Sequence, residues 1–329
     1  MNQKDLTVFN LGENLDNLMN LDPRGYGVCR ILYNASREYT KKPLTINSAE
    51  KLVDTLKEGD LVYIMTGFVL RPFKKAEMDG IVSTMLLARA LVKGFNVKPV
   101  IVCPEDNMKA VENLAYVVGL HFHDSIEGLS EYPLSLAAIP FTKEAKEASK
   151  QADELISKGF PSAVISIECP GANSKGVYHN AVGLDVTELE AKQDVLFNKL
   201  KEKVNIAIGD LGNEIGMGTI KEHLYEYVPY AAKGTCNCGC NGGIVAETKA
   251  DNIITATVSD WGCYGLIAAL SYLKNDLNIM HTKEMEKDAM IAASRSGMID
   301  MYGDLIPAID GFGLEINCSI VNLMRECVL

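Results

Sequence analysis

The run Ile206-Ala-Ile-Gly-Asp210-Leu-Gly-Asn213-Glu214-Ile-Gly-Met-Gly218 carries an apolar stretch straight into a glycine-rich turn that holds two carboxylates and an amide. A buried strand ending at Asp210 places that carboxylate at the carboxyl edge of a sheet, where α/β proteins hold their ligands. Glu214 follows four residues later, so both acids share a face if the segment begins to coil. Close carboxylates repel each other, and a hard cation or a retained proton relieves the repulsion. The same residues also suit a helix N-terminus capped by Asp, and the segment alone leaves both readings open.

Other apolar runs end in the same way. Leu61 to Met65 gives way to Thr66-Gly67, and the following loop supplies Glu77-Met-Asp79-Gly80. Ala163 to Ile167 ends at Glu168-Cys-Pro-Gly171, ahead of a loop with Asn173, His179 and Asn180, and Ile253 to Val258 ends at Ser259-Asp260-Trp261-Gly262. If these runs are parallel strands, Glu77, Asp79, Glu168, Asp210, Glu214 and Asp260 converge on one edge. Such an acidic gathering, with oxygen ligands and no paired histidines, favours Mg²⁺ or Mn²⁺ over Zn²⁺. The small and polar residues beside these acids, Thr66, Gly67, Gly80, Asn173, Asn213, Ser259, Trp261 and Gly262, are the candidate substrate contacts. Local alternatives stand next to these readings: Glu77 and Asp79 suit a helix N-terminus, and Trp261 suits a core as well as a ligand face. Cys236-Asn-Cys238-Gly-Cys240 invites a zinc or iron–sulfur reading. Structural zinc takes four ligands, commonly in spaced pairs, and with no second pair nearby in the chain the segment is read as a tight turn whose thiols hold no metal.

The elements that must position these residues alternate. Helical patterns over 80–93, 108–118, 143–157 and 188–203 separate the apolar runs, and another follows at 264–273. Strands spaced by helices of this length imply a parallel sheet covered on both faces, so the expected fold class is α/β. No repeat or linker marks a boundary, and the chain reads as a single domain, 1–329, with a helical amino-terminal extension over 1–58. Within that extension Asn47-Ser-Ala-Glu50 resembles a capping box opening a helix at Ala49.

With 329 residues and 47% hydrophobic content the chain has material for a sizeable core. A net charge of −11 without a basic tract argues against a nucleic-acid or anionic-membrane partner. No uninterrupted apolar span reaches the length of about 20 residues that a membrane helix needs, and the start lacks a signal-like apolar core. A cytoplasmic location and reduced cysteines are therefore expected. A nucleotide cofactor is not, because neither a Gly-x-Gly-x-x-Gly turn at the first strand nor a P-loop lysine is present.

Taken in order, Glu77-Met-Asp79-Gly80, Ser166-Ile-Glu168-Cys-Pro-Gly171, Gly209-Asp210-Leu-Gly-Asn213-Glu214-Ile-Gly-Met-Gly218 and Ser259-Asp260-Trp261-Gly262 resemble the motifs of the D-glutamate cyclase carboxyl-terminal-domain family. The resemblance runs from about residue 10 to the end. The family's versions read approximately Glu-x-Asp-Gly-Pro, Ser-Ile-Glu-Arg-Pro-Gly, Gly-Asp-Gly-Gly-Asn-Glu-Ile-Gly-Met-Gly and Ser-Asn-Trp-Gly. Here Ile81, Cys169 and Asp260 stand where the family has proline, arginine and asparagine. Loss of that arginine removes a bidentate partner for a carboxylate or phosphate, so a shift in substrate choice is expected.

The resemblance implies a lyase that closes D-glutamate, or a related small acidic amino acid, into 5-oxo-D-proline with loss of water. It further implies a Mg²⁺ or Mn²⁺ ion held by Asp79, Glu168, Asp210 and Glu214, and Glu77 or Asp260 as the catalytic acid–base group. Metal-dependent phosphatase or phosphodiesterase chemistry, and non-catalytic binding of a metal or small acid, are the alternatives that the residues leave open. The expected partner is a small acidic molecule, with self-association into a homo-oligomer left open.

Overall fold

The computed structural model describes residues 3–329. Three helices, α1 (Gln3–Met19), α2 (Val28–Thr40) and α3 (Leu44–Thr55), lead into β1 (Leu61–Thr66) and a short hairpin, β2 (Val69–Leu70) with β3 (Lys75–Ala76). The chain then alternates through α4 (Ile81–Phe95), β4 (Lys98–Cys103), α5 (Met108–Val117), β5 (His121–His123), β6 (Ser135–Pro140), α6 (Ala145–Lys158) and β7 (Ala163–Ile167). It continues with α7 (Gln193–Lys199), β8 (Val204–Gly209), α8 (Lys221–Tyr227), β9 (Asn252–Thr255), α9 (Ser259–Lys274) and α10 (Lys283–Arg295). A second hairpin, β10 (Ala308–Ile309) with β11 (Phe312–Gly313), precedes the last helix, α11 (Leu314–Val328).

Seven strands form one parallel sheet in the order β5-β6-β4-β1-β7-β8-β9. The α/β class follows as expected from strands that alternate with helices. Along β1 the side chains alternate between two cores: Val62 and Ile64 face the layer of α1, α3, α4 and α9, whereas Tyr63 and Met65 face the layer of α2, α6 and α7. Both faces are apolar because a parallel sheet is covered on both sides. Leu11, Leu15 and Met19 of α1 enter the first of these cores together with residues of α3 and α9, while Leu32 and Ala35 of α2 enter the second, so the amino-terminal helices help to cover both faces of the sheet. Among the described residues no helix is long and apolar enough to cross a membrane.

Several local expectations shift. Asn47 to Glu50 lies inside α3, which opens at Leu44 instead. The buried Asp16 sets that start: its Oδ2 accepts the Leu44 amide at 2.7 Å, and its Oδ1 accepts the Thr45 amide and hydroxyl. A distant carboxylate thus supplies what a local box was expected to supply. The helix expected over 188–203 forms only as α7, because Glu190 turns inward to accept the Val69 amide at 3.0 Å. Helix α9 begins at Ser259, earlier than the expected 264, for a reason that lies in the site.

Candidate functional site

Strands β1, β7, β8 and β9 are neighbours in the sheet, so their carboxyl ends form a continuous edge. Asp79 precedes α4, Glu168 follows β7, and Asp210 follows β8. These three buried carboxylates each bring an oxygen within 4.8 Å of the others. The approach is close enough to demand unusual backbone. Glu168 adopts φ +43°, a left-handed conformation uncommon for a side chain of this size. Gly80 sits at φ +82°, and a Cβ there would lie 2.7 Å from the Glu168 Cβ and 2.8 Å from the Thr66 Oγ1. Only glycine fits at that position.

Two acids brace the floor of the site by capping each other's helices. Asp79 accepts the amides of Ser259 (3.1 Å) and Asp260 (2.9 Å) at the start of α9. Asp260 in turn accepts the amides of Gly80 (2.8 Å) and Ser83 (3.2 Å) at the start of α4. This reciprocal capping satisfies orphan amides at both N-termini and explains why α9 starts at Ser259. The same residue's hydroxyl donates to Glu168 at 2.6 Å. Burial is the main cause that pushes Asp260 up to about 7.

Glu214 has a different task. Its Oε1 accepts the amides of Asp210 (2.8 Å) and Leu211 (2.7 Å), and its Oε2 accepts the amide of Gly212 (2.7 Å). The carboxylate folds back beneath its own turn and organises it, leaving Asp210 to point away from the turn toward the other acids. Both oxygens of Asp210 are buried and receive no amide or hydroxyl donor; the carboxyl beside them is that of Asp310, with which a shared proton makes a hydrogen bond. Burial, followed by the charges of Glu168 and Asp310, holds the Asp210 carboxyl well above its usual range. Glu77, Asp79 and Glu168 are also raised, with burial first and neighbouring acids next. A bare set of carboxylates in this position must hold protons or a cation.

Above these acids lies a cavity of about 540 Å³, lined by Glu77, Glu168, Asp210 and Asn213 on the polar side and by Phe68, Leu70 and Tyr230 on the apolar side. Its volume is in the range of small-molecule sites. Two charged lining residues had no role in the sequence reading, Arg24 and Asp310. Arg24 comes from the α1–α2 turn, where Asp22 accepts the amides of Gly25, Tyr26 and Gly27. Its guanidinium donates to the Asp310 carbonyl at 2.8 Å and the Thr257 carbonyl at 3.1 Å, lies 4.8 Å from the centre of the Phe312 ring, and leaves a buried Nε–H without a partner. Asp310 sits at the tip of the β10–β11 hairpin with φ +52°. The turn residues Asp22-Pro-Arg24-Gly and Ile309-Asp310-Gly311 were the available signals, yet turns of this kind occur on any surface.

The remaining candidate contacts divide. Asn213 reaches the cavity, donates from Nδ2 to the His179 carbonyl at 2.9 Å, and keeps a buried Oδ1 free. Thr66 lies under the site against Gly80, and Gly67 packs on Pro104 and Asn107. Trp261 is fully buried, donates to Asn317 at 2.7 Å and packs on Phe312. Gly262 packs against Ile208 and Ile254 in the core. Cys169, at the position of the family's arginine, is buried and directed at Gln193, 3.0 Å away. The cation beside the acids is therefore Arg24.

The chain matches, over residues 15–325, the family described as D-glutamate cyclase-like, C-terminal. It belongs to that family. Among curated proteins it is similar to the mitochondrial D-glutamate cyclase of Homo sapiens, 32% identical over 114 residues. That stretch is 33% of this chain and 17% of the human enzyme's length, so the family is shared while the human enzyme's activity is not thereby transferred. The family's acidic motifs supply Asp79, Glu168 and Asp210 to the cluster.

The cysteine turn has a neighbour that chain spacing does not reveal. A fourth ligand group, absent from its sequence neighbourhood, is brought to it in space: the His179 imidazole lies with the thiols of Cys236, Cys238 and Cys240, all ligand atoms within 4.8 Å of one another. Asn173 belongs with this second cluster, donating to Cys240 Sγ at 3.4 Å and to the Gly243 carbonyl at 2.7 Å.

Proposed function

We propose that this protein closes D-glutamate, or a closely related small acidic amino acid, into 5-oxo-D-proline with release of water, assisted by a Mg²⁺ or Mn²⁺ ion held by Asp79, Glu168 and Asp210. The observation that carries the reading is Asp210, a buried carboxylate with no amide or hydroxyl donor that converges with Asp79 and Glu168 and lines a small cavity. A hard divalent cation suits that all-oxygen donor set. When bound, it supplies a positive centre that draws charge from a carboxylate oxygen and stabilises the oxyanion formed by ring closure.

The chain's own residues account for binding and proton movement. The free Nε–H of Arg24 donates to one substrate carboxylate, in a guanidinium already fixed by Asp310 and Thr257. The free Oδ1 of Asn213 accepts from the substrate ammonium. Glu77, raised by burial and by Asp310, takes a proton from that ammonium, and the freed amine adds to the distal carboxyl carbon. The C–N bond forms, a C–O bond breaks, and the two hydrogens lost from nitrogen leave on the departing oxygen as water. Asp260 positions Asp79 and α4 without reaching the substrate.

The test is a panel of D-glutamate, L-glutamate, both 5-oxoproline enantiomers and simple phosphate esters, assayed with Mg²⁺, Mn²⁺ or a chelator. Ring closure of the D-enantiomer, lost on chelation, is expected. Phosphate release without any ring closure would replace this reading. Arg24→Gln removes a charge-assisted hydrogen bond of about 1.5–3 kcal/mol, so KM for D-glutamate should rise roughly 10- to 100-fold with kcat little changed.

A further inference from the structure

The second cluster lies outside the acidic site. His179 Nε2 is 3.1 Å from Cys238 Sγ and 3.5 Å from Cys240 Sγ. Cys236 Sγ is 3.5 Å from Cys240 Sγ and 3.7 Å from Cys238 Sγ. A tetrahedral zinc with Zn–S of about 2.3 Å and Zn–N of about 2.0 Å has S···S edges of about 3.8 Å and S···N edges of about 3.5 Å. Of these four distances, both S···S edges and one S···N edge are within a few tenths of an ångström of those figures, the other S···N edge is shorter, and the remaining two edges are within 4.8 Å. No pair of these sulfurs is near the separation of about 2.05 Å that defines a disulfide.

Donors around the sulfurs suit thiolates. The Cys240 amide points at Cys238 Sγ (3.4 Å), and the Gly242 amide and the Asn173 side chain point at Cys240 Sγ (3.3 and 3.4 Å). Hydrogen bonds of this kind favour the charged form of a ligand. The segment from Val228 to Lys249 also lacks helix or strand, and an irregular stretch of that length needs something other than a backbone ladder to hold it. We propose that His179, Cys236, Cys238 and Cys240 bind one Zn²⁺ as a closed structural site. Three soft thiolates and an imidazole select zinc over the hard cation of the carboxylate cluster. Four protein ligands leave no open position for chemistry.

The metal staples two loops that form one wall of the cavity. Asn180 and Val182 follow His179, and Pro229 and Tyr230 precede the cysteines; all four line the cavity. The loops already touch: Asn237 donates to the Val182 carbonyl at 2.7 Å, and a Cβ at Gly183, φ +76°, would lie 2.8 Å from the Asn237 amide nitrogen. The His179 carbonyl also accepts from Asn213, within the turn that presents Asp210. Zinc is thus linked to the acidic site through one hydrogen bond.

Elemental analysis of the whole chain, purified reduced and without added metal, tests the proposal. One zinc per chain is expected, retained through dialysis against Mg²⁺ and lost in Cys238→Ser and His179→Ala. Cobalt substitution of the zinc-free chain should give sulfur-to-metal charge-transfer absorption and the intense visible bands of a tetrahedral ion. Cys103→Ser, remote from the cluster, should change neither readout. A reduced wild-type chain that holds no zinc and gives no charge-transfer band with Co²⁺, or whose zinc survives both ligand substitutions, overturns the site. These readouts do not involve turnover, so they remain decisive whether or not D-glutamate is the substrate.

Discussion

Asp210→Asn is expected to abolish turnover while leaving the fold intact. The amide keeps the size of the carboxylate but removes the charge that a divalent cation or a migrating proton requires, and losses of 10²- to 10³-fold or more are usual, about 3–4 kcal/mol of transition-state stabilisation. Stability should move the other way. The native Asp210 carboxyl is held above its usual range by burial and then by the charges of Glu168 and Asp310. A group whose folded value is raised contributes stability that is fully present below its unfolded value of about 3.9 and lost as pH rises through the folded value. In chelator-treated wild type, this contribution therefore falls from acidic toward neutral pH. Asparagine cannot titrate, so the chelator-treated variant should show a shallower fall and equal or greater stability at neutral pH. Thermal melts across pH with and without Mn²⁺, beside the cyclisation assay, measure both effects. Full activity in Asp210→Asn would remove it from the site.

Glu214→Ala is expected to do the reverse and damage the fold first. Three backbone amides in the turn after β8 donate to this carboxylate, and the side chain is completely buried. Truncation strands those donors, at about 1–3 kcal/mol for each one that finds no water. A loss of about 3 kcal/mol or more follows, with lower denaturant midpoints and faster amide exchange at Leu211 and Gly212. Glu214→Gln retains one acceptor oxygen but turns an NH₂ toward an amide donor, so it should lie between wild type and alanine. Stability unchanged in the alanine variant would return Glu214 to the role of a metal ligand.

These paired expectations mark how far local sequence reaches. Asp210 and Glu214 occupy one motif with the spacing that puts two carboxylates on a face, and nothing in that spacing distinguishes them. The fold does, by turning Glu214 under Gly209, where a Cβ would lie 2.8 Å from the Glu214 carboxyl carbon. Asp79 and Asp260 were legible both as site acids and as helix-terminal acids. Asp79 is both, since its oxygens cap α9 and also approach Glu168 and Asp210.

The sequence by itself determined the parallel α/β order and the position of the acids at strand ends, because buried strands and covering helices write themselves as short-range hydrophobic patterns, and glycines beside acids mark where those patterns stop. It determined family membership for the same reason, through ordered local motifs. Tertiary structure alone decided that Arg24 and Asp310, 286 residues apart, meet in the cavity, that Trp261 lies in the core, and that His179 joins three cysteines 57 to 61 residues away. Such meetings are set by how layers pack and which way each side chain points, and chain spacing carries neither quantity once the partners lie on different elements.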